Sequence, residues 1–448
     1  MIRIKRGLDL PLAGAPEPRI DDSAPAIRRV AVLGGDYPGM RPGMAVAEGD
    51  RVRRGQLIFE DKKTPGVRFT APGAGVVRAI HRGDRRFMLS VEIELEGDED
   101  ESFERFDRAS LGSLPADTVR EQLVVSGEWT AIRTRPFGKV PQLDARPAAI
   151  FVPLIDTQPL AADPELIVAE REQDFRDGLA LLSRLTEGTV WVCRREGGAL
   201  ASFAAGRVRE ETFAGPHPAG NPGTHIHFLE PVGARKSVWV VGYQDVIAFG
   251  RLFTTGRLHS ERVVALGGPG VKQPRLLRTR VGASLEELTR DRLDSDRHRI
   301  ISGSVFNGRA ASGPTAFLGR LANQVSVLRE GDDRPLLGYL SPGIERHSVL
   351  NIYLSRFLPG RRLALSTTTN GSERAMVPLG QYESVMPLDI LPTQLLRALA
   401  VGDTEAAQAL GALELVEEDL ALCSYVCAGK YEYGPILRDN LDQIEAEG

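Results

Sequence analysis

Residues 45–80 read AVAEGDRVRRGQLIFEDKKTPGVRFTAPGAGVVRAI, in which short apolar stretches alternate with turns that contain glycine. The same pattern extends from Arg28 to about Glu96. Repeated short strands separated by Gly-Asp and Pro-Gly turns are typical of a small all-β unit. The acidic stretch GDEDESFERFD follows this unit, and we therefore predict a first domain over residues 1–105.

Two patterns within this unit resemble the barrel-sandwich fold of lipoyl and biotinyl carrier domains. They are V-x-x-G-D-x-V-x-x-G-Q-L-I and A-P-x-x-G-x-V-x-x-I. Carrier domains hold a modified lysine at a tight hairpin tip, and Lys62 occupies a similar place. Residues 63–66 lengthen the turn, so Lys62 is not expected at the apex that a ligase recognises. We interpret the segment as a structural loop. A carrier role is the alternative, and it predicts a mass increase on Lys62 or Lys63.

The composition excludes several classes of protein. A chain of 448 residues exceeds what one hydrophobic core usually serves, so we expect three or four domains. A net charge of -4 offers no basic field for nucleic acid. No apolar run approaches the roughly 18 residues of a membrane span. We do not expect the start MIRIKRGLDLPLAG to act as a signal peptide, because Asp9 comes before any apolar stretch forms. We therefore expect membrane contact only through partners, and three cysteines suit a reducing compartment.

Residues 106–258 alternate between strand and helix patterns. RPAAIFVPLI and TVWVCRR read as buried strands, and Asp163-Pro164 between them begins a helix with an N-cap residue and a proline in the first turn. Apolar residues at helical spacing continue from Leu166 until Gly188 ends the helix. KSVWVVGYQDVIAFGRLF supplies a further strand and helix. Together these elements predict an open, Rossmann-like α/β domain.

The rest of the chain contains two more parts. In residues 259–335, strands IISGSVF and QVSVLRE accompany a short helix with a Ser284/Glu287 capping box, which predicts a β-grasp domain of the SLBB type. Residues 336–448 read as a strand-rich linker, with Asn370-Gly371 as a hairpin turn, and then as a helical region from Leu391. The predicted fold class is therefore multidomain α/β and β.

The histidines His217, His225 and His227 form one cluster in the sequence. His225 and His227 lie two residues apart on an expected strand, so both point to one face and permit a metal. Glu230 falls on the other face and no cysteine accompanies the set, so we favour a turn-rich structural loop without a metal. The glycine loops match neither the dinucleotide fingerprint nor the P-loop, and no independent nucleotide binding is expected.

Two cysteines, Cys423 and Cys427, lie four residues apart near the C-terminus. Iron–sulfur clusters need four thiolates, so this pair cannot hold one alone. If the segment ALCSYVC is helical, both side chains lie on one face and act as small buried hydrophobic groups.

Several long segments together resemble one family: MIRIKRGLDLPLAG, FEDKKTPGVRFTAPGAG, WTAIRTRPFGKVP, GPHPAGNPGTH, VGYQDVIAFG, STTTNGSERAMVPLG and EEDLALCSYVCAGKYEYG. They are similar to the A subunits of sodium-translocating NADH:quinone oxidoreductases over essentially the whole chain. That family is itself similar to the C subunit of the Rnf complex and to the flavin-bearing NADH subunit of complex I.

The resemblance implies a peripheral subunit on the cytoplasmic face of the bacterial inner membrane. The resemblance also implies a six-subunit complex that passes electrons from NADH to ubiquinone while partner subunits export Na⁺. FAD, FMN, riboflavin, Fe–S clusters and NADH are expected on those partners, and the chain is not expected to be active alone. In the relatives a glycine-rich loop holds FMN, whereas residues 126–136 here read SGEWTAIRTRP, with bulky side chains. We therefore expect no cofactor on this chain.

A quinone ring needs hydrogen-bond donors for its two carbonyls and apolar walls for its faces. Two segments offer this mixture, and we predict that they form a quinone site: Trp129, Arg133, Arg135, Phe137 and Lys139 in one, and Leu33, Tyr37 and Met40 in the other. The cations of the first segment would stabilise negative charge on the reduced ring. Ordinary interdomain packing is the alternative interpretation of the same residues.

Two further functions stay open. A scaffold without cofactors, which docks electron-transfer domains onto membrane subunits, predicts no quinone binding by the isolated chain. A flavin-linked NADH oxidase predicts a yellow protein.

Overall fold

The computed structural model describes residues 1–23, 25–295, 297–332, 340–350, 352–358 and 360–447. Two strands precede the barrel-sandwich domain, β1 (Ile2–Arg3) and β2 (Glu17–Asp21). Strand β1 pairs in parallel with residues 213–214, and β2 pairs in parallel with residues 275–277. The first 21 residues thus give one strand each to the second and third domains, although the sequence places them in the first.

The barrel-sandwich domain consists of two small sheets. Its strands are β3 (Arg29–Leu33), β4 (Pro42–Met44), β5 (Arg51–Val52), β6 (Leu57–Asp61), β7 (Arg68–Thr70), β8 (Gly75–Arg82) and β9 (Met88–Leu95). One sheet has the order β3-β9-β8-β5 and the other β4-β6-β7. Val30, Phe59, Val77 and Val91 are fully buried in the core. The short strands expected from residues 45–80 are confirmed.

The loop between β6 and β7 carries Lys62, which is exposed. The Asp61 carboxylate accepts hydrogen bonds from the backbone N–H groups of Arg41 and Lys63, both at 2.9 Å. The Lys62 N–H donates to the Arg41 carbonyl at 2.8 Å. These bonds hold residues 62–66 in a loop of bends and a turn, which is longer than a tight hairpin tip, as the sequence predicts.

The α/β domain contains α1 (Ala116–Val125), β10 (Arg133–Arg135), β11 (Ala149–Leu154), α2 (Pro164–Ala169), α3 (Glu172–Leu182), β12 (Thr189–Arg195), β13 (Val208–Ala214), α4 (Pro222–Leu229), β14 (Val238–Val240) and α5 (Tyr243–Thr255). Its sheet has the order β1-β13-β12-β11-β14-β10 and is parallel except for β10. Ile150, Val152, Val190 and Val192 are fully buried, as expected for strands covered on both faces.

The helix predicted after Asp163 begins where expected, because the Asp163 side chain accepts a hydrogen bond from the Glu165 N–H at 3.1 Å. It does not continue unbroken to Gly188. Arg171 leaves the helical conformation, with φ -135° and ψ 32°, and separates α2 from α3. Leu166, assigned to the apolar face from its spacing, is 37% exposed.

The β-grasp domain contains β15 (Glu261–Gly267), β16 (Arg275–Arg280), α6 (Leu285–Thr289), β17 (His298–Ser302), β18 (Arg309–Ala310) and β19 (Gln324–Arg329). Its sheet has the order β18-β17-β19-β15-β16-β2. The Ser284 hydroxyl caps α6 by accepting from the Glu287 N–H at 3.4 Å. The second bond of the predicted capping box does not form, because the Ser284 N–H donates to the Arg29 carbonyl. The Glu287 carboxylate accepts from the Arg28 N–H and the Arg29 Nε, and so links this domain to the barrel-sandwich domain.

A second link between these two domains depends on a glycine. The Ala31 N–H donates to the Gly282 carbonyl at 2.8 Å. Gly282 has φ +69°, and a Cβ there would lie 2.2 Å from the Ala31 carbonyl oxygen. Only glycine allows both this backbone conformation and this close approach.

The C-terminal region contains α7 (Gln381–Val385), α8 (Pro392–Val401), α9 (Thr404–Ala409), α10 (Ala421–Val426) and α11 (Tyr433–Glu447). They enclose a separate apolar core, with Leu395, Leu396, Leu420 and Leu437 at its centre. The helical region expected from Leu391 is confirmed.

The strand-rich linker predicted before this region is wrong for the residues that the structure describes. Between 340 and 380 they form a 3₁₀ helix, Leu354–Phe357, and isolated bridges such as Leu12 with Leu363. Asn370 has φ 51°, as in a tight turn, but no hairpin strands flank it. Beyond single bridges, such as Ser366 with Arg329 of β19, the described residues of this segment pair with no strand, and strand propensity alone does not make a sheet.

Candidate functional site

The parallel sheet of the α/β domain has a topological switch point between β11 and β14. Strand β12 lies on one side of β11 and β14 on the other. Ligands of open α/β sheets bind outside the carboxyl ends of the strands at such a point. Here Ile155 and Asp156 follow β11, Gly242 and Tyr243 follow β14, and all four line one cleft.

The cleft has a volume of about 590 Å³, and small-molecule sites range over roughly 300–1,000 Å³. All four parts of the chain line it. Asp36 comes from the barrel-sandwich domain, Asp156 and Tyr243 from the α/β domain, Arg309 from the β-grasp domain, and Glu418 from the C-terminal region. The site therefore exists only in the assembled fold.

Arg133 joins the two segments that the sequence singles out. Its guanidinium donates to the Thr130 carbonyl at 2.6 Å and to the Asp36 carbonyl at 3.0 Å. It also lies over the Tyr37 ring, 5.2 Å from the centroid, in a cation–π contact. The structure thus brings both predicted segments together at one edge of the cleft, which Arg133 lines.

Arg135 lines the cleft and is 3% exposed. Its Nη2 lies 3.0 Å from a Glu418 carboxylate oxygen and 3.6 Å from Asp419. Its Nε finds no hydrogen-bond partner among the described residues. Arg135 therefore carries a buried donor that the described part of the fold leaves unsatisfied.

Four of the other predicted residues belong to packed cores and do not line the cleft. Trp129 is fully buried, donates from Nε1 to the Pro141 carbonyl at 2.9 Å, and meets Trp239 edge to face. Leu33 and Tyr37 are also buried, and Met40 packs against the same core as Tyr37. These side chains support the cleft from behind.

The last two predicted residues contact the C-terminal region. Phe137 packs against its apolar core, and its carbonyl accepts from Arg438 at 2.7 Å. The Lys139 ammonium pairs with Asp442 at 3.2 Å and with Glu445. Its charge is therefore already compensated by α11.

A buried ion network borders the cleft, and its members Asp36 and Asp245 line it. Arg320 contacts Glu128 at 2.9 Å and Asp245 at 2.5 Å, and Asp245 also pairs with Arg262. The Arg320 backbone N–H donates to Asp36 at 2.7 Å. Burial raises the pKa of Glu128, and the charge of Arg320 opposes that rise. The network connects the barrel-sandwich, α/β and β-grasp domains.

Two acids beside the cleft have raised pKa values. Burial raises the pKa of Asp156 to about 6, although the Gln158 N–H donates to its carboxylate at 2.8 Å and favours the charged form. Burial likewise raises the pKa of Asp419, and the nearby Arg135 opposes the shift. Burial therefore favours the protonated form of both carboxyl groups.

Sequence reasoning misses several residues that line the cleft, among them Arg309, Glu418 and Tyr243. Arg309 and Glu418 come from segments far apart in the chain, and no local pattern brings them together. Tyr243 and Asp156 follow buried strands. A search for polar residues at the carboxyl ends of the predicted parallel strands would have found both.

The strand predicted for His225 and His227 is wrong, because both lie in α4. The missed signal is Asn221-Pro222, since proline is favoured in the first turn of a helix. His225 is fully buried, contacts the Ala219 carbonyl through Nε2 at 2.9 Å, and has its pKa lowered by burial to about 3.

The other two histidines have separate partners. His227 lies 2.7 Å from a Glu414 carboxylate oxygen through Nδ1 and accepts from the Asp389 N–H at 3.0 Å. His217 contacts the Thr157 hydroxyl at 3.1 Å. The described residues hold no group of three or more histidine, cysteine or acidic side chains that fits a metal ion.

Cys423 lies within α10 and Cys427 directly follows it, and both are buried in the C-terminal core. The Tyr382 hydroxyl donates to the Cys427 sulfur at 3.1 Å. Cys423 packs as a small apolar group, as the sequence predicts, whereas Cys427 lies past the end of the helix and its sulfur contacts the Tyr382 and Tyr433 hydroxyls. In the described part of the chain, none of the helices has the length and hydropathy to cross a membrane.

Three protein-family models match the chain. Residues 2–96 match the family model of the NqrA N-terminal barrel-sandwich hybrid domain, residues 114–258 the NqrA second alpha/beta domain, and residues 263–313 the NQRA C-terminal domain. The chain is 62% identical to the A subunit of the Na(+)-translocating NADH-quinone reductase of Alcanivorax borkumensis. It is 61% identical to the Pseudomonas aeruginosa protein of that name and 60% to that of Saccharophagus degradans, and each comparison covers 100% of both chains.

Proposed function

Because the chain belongs to the family of A subunits of the Na(+)-translocating NADH-quinone reductases, we propose that it helps to form the site where ubiquinone is reduced. In this proposal it is a peripheral subunit on the cytoplasmic face of the membrane, and partner subunits carry out Na⁺ export. The family resemblance inferred from the sequence motifs is confirmed.

The observation that carries this proposal is the cleft at the switch point. Its volume suits a quinone ring and the first part of a tail. Pro153, Ile155, Val240 and Leu321 supply apolar wall. The Nε groups of Arg135 and Arg309 are buried donors without partners among the described residues, and a quinone carbonyl accepts such donors.

The charges around the cleft suit the chemistry of reduction. A quinone takes up two electrons and two protons to become a quinol, and in the proposal the electrons come from a partner subunit. Negative charge on the ring would be stabilised by Arg135 and Arg309. Asp156, with its raised pKa, is placed to supply a proton from the same wall.

We further propose that this chain holds no cofactor of its own, and that FAD, FMN, riboflavin, Fe–S clusters and NADH belong to partners. Two observations support this. Glu128 and Trp129 are buried in the segment that, by the family resemblance, corresponds to the flavin loop of the relatives. Cys193, Cys423 and Cys427 are three free thiols, whereas a cluster needs four thiolates.

A scaffold role without quinone binding is the second candidate, and one observation favours it. Most of the predicted cations already have partners within the fold. Lys139 pairs with α11, and Arg133 donates to three backbone carbonyls. Under this alternative the same residues only hold the domains together.

Quinone titration of the isolated chain separates the two candidates. We expect a colourless protein that binds a short-chain ubiquinone, and an Arg309→Met variant with at least about tenfold weaker binding, because a charged donor is lost. Arg299→Met is the matched control, since Arg299 precedes Ser302 on β17 and pairs with Glu330 away from the cleft. Absence of binding by the unmodified chain would contradict a quinone site made by this chain alone and favour the scaffold.

A further inference from the structure

One loop of the protein exposes an unusual number of large apolar side chains. It comprises residues 340–350 and 352–358, and we refer to it as the apolar loop. Its exposed apolar residues, each between 42% and 69% exposed, are Leu340, Ile344, Leu350, Ile352, Leu354, Phe357 and Leu358. The ten others in the described part of the chain are spread over all domains. Single exposed apolar residues are normal, but such a concentration marks an interaction surface.

The apolar loop is held in place at its inner side. The Leu354 N–H donates to the Pro342 carbonyl at 3.0 Å, and the Ser355 hydroxyl donates to the Arg346 carbonyl at 2.5 Å, so the loop closes on itself. His347 Nδ1 lies 2.7 Å from the Tyr425 hydroxyl of α10. The contact surface is therefore preformed on the C-terminal region, which lowers the entropy cost of binding.

The apolar side chains lie in a basic part of an acidic chain. Residues 340–362 contain Arg346, Arg356, Arg361 and Arg362 but only one acid, Glu345. Their net charge is positive, whereas the whole chain has a net charge of -4. A partner for this surface must offer apolar contact and carboxylates at its border.

We propose that the apolar loop docks this chain onto another subunit of the reductase complex, whose matching surface is apolar and bordered by carboxylates. The members of this family are subunits of a reductase complex, so the chain must present a surface to partner proteins. Arginine and aromatic residues are enriched in protein interfaces, and arginine binds carboxylates through two parallel hydrogen bonds.

A protein partner suits the charges better than an anionic lipid surface does. The acidic remainder of the chain is repelled by anionic lipid, and Glu345 already pairs with Arg361 at 3.0 Å, which reduces the charge that the loop offers. A protein surface can place its carboxylates opposite the apolar loop and away from the acidic remainder of the chain. The inference does not depend on quinone binding, because a scaffold needs the same docking surface.

Ile352 and Phe357 are each 67% exposed and are the expected anchors of the interface. Truncation of interface anchors weakens binding by roughly 30-fold or more per residue. In a complex purified through a tag on another subunit, we expect the Ile352→Ser/Phe357→Ser variant to be lost. The amount of this chain per tagged subunit should fall at least about tenfold. Because both side chains are exposed, the isolated variant should keep the thermal midpoint of the unmodified chain.

Val401→Ser is the matched control, since Val401 is 80% exposed on α8, outside the apolar loop. Full retention of the Ile352→Ser/Phe357→Ser variant in the complex would overturn the proposal. A lipid role is tested by sedimentation of the isolated chain with vesicles that contain phosphatidylglycerol. Binding that the double substitution abolishes, with complex assembly intact, would assign the loop to the membrane instead.

A photoreactive benzoylphenylalanine at position 352 provides a test that does not depend on the stability of a variant. We expect a covalent conjugate with one other subunit of the complex on irradiation, and none from position 401. Conjugates with lipid alone, or no conjugate with any subunit, would contradict a protein interface.

Discussion

Replacing Arg320 by methionine is expected to lower the free energy of unfolding by about 3–5 kcal/mol, because removing one partner of a buried ion network leaves uncompensated charges. Arg320 is the cation between Glu128 and Asp245, and the side chains of all three are at most 9% exposed. A methionine fills much of the volume but leaves the Glu128 carboxylate without its cation, and Asp245 keeps only Arg262. Urea unfolding followed by tryptophan fluorescence measures the effect, since all three tryptophans lie in the α/β domain.

The effect of this substitution should depend on pH. Burial raises the pKa of Glu128, so the folded state holds a proton there more tightly than the unfolded state does. Without Arg320 this pKa rises further, and protonation then favours the folded state as pH falls. The destabilisation of Arg320→Met should therefore be smaller at pH 5 than at pH 8.

Arg329→Met is the control, because Arg329 pairs with Asp294 at the surface and its side chain is 57% exposed. Surface ion pairs contribute about 0–1 kcal/mol, so this variant should unfold nearly as the unmodified chain does. An Arg320→Met variant that loses less than about 1 kcal/mol would show that the network does not hold the three domains together.

Replacing Trp129 by alanine is expected to lower the free energy of unfolding by about 3–5 kcal/mol, as removal of a large aromatic side chain from a core does. Trp129 is fully buried against Trp239 and does not line the cleft. Trp129→Phe should cost less, because it fills most of the space and loses mainly the hydrogen bond to the Pro141 carbonyl.

The two variants also decide between a structural and a quinone-binding role for Trp129. If Trp129 supports the cleft only through packing, Trp129→Phe should bind quinone as the unmodified chain does. A stable Trp129→Phe variant that loses quinone binding would contradict a role limited to packing. Thermal unfolding and quinone titration on the same preparation provide both readouts.

Much of the fold follows from local signals in the sequence. Gly-Asp and Pro-Gly turns identify the barrel-sandwich domain, and Asp163 caps α2 as expected. These features depend on a few neighbouring residues. The strand proposed for His225 fails because Asn221-Pro222 begins a helix there, and this signal was also present in the sequence.

Other features depend on contacts that no local pattern encodes. Strand β1 pairs with β13, more than 200 residues away, although it precedes the first domain. The sequence identifies Arg133 and Arg135 as candidates, but the cleft also requires Arg309 and Glu418 from other parts of the chain. Whether Trp129 faces a ligand or a core is decided by packing against Trp239, which sequence spacing does not reveal.

We propose that the cleft at the switch point of the α/β sheet takes part in quinone binding within the complex. Photolabelling of the assembled complex with a ring-reactive ubiquinone analogue tests it most directly. We expect label on peptides of this chain that line the cleft, within residues 131–138 and 302–309, and loss of that label when excess ubiquinone competes. Label found only on other subunits would contradict the account.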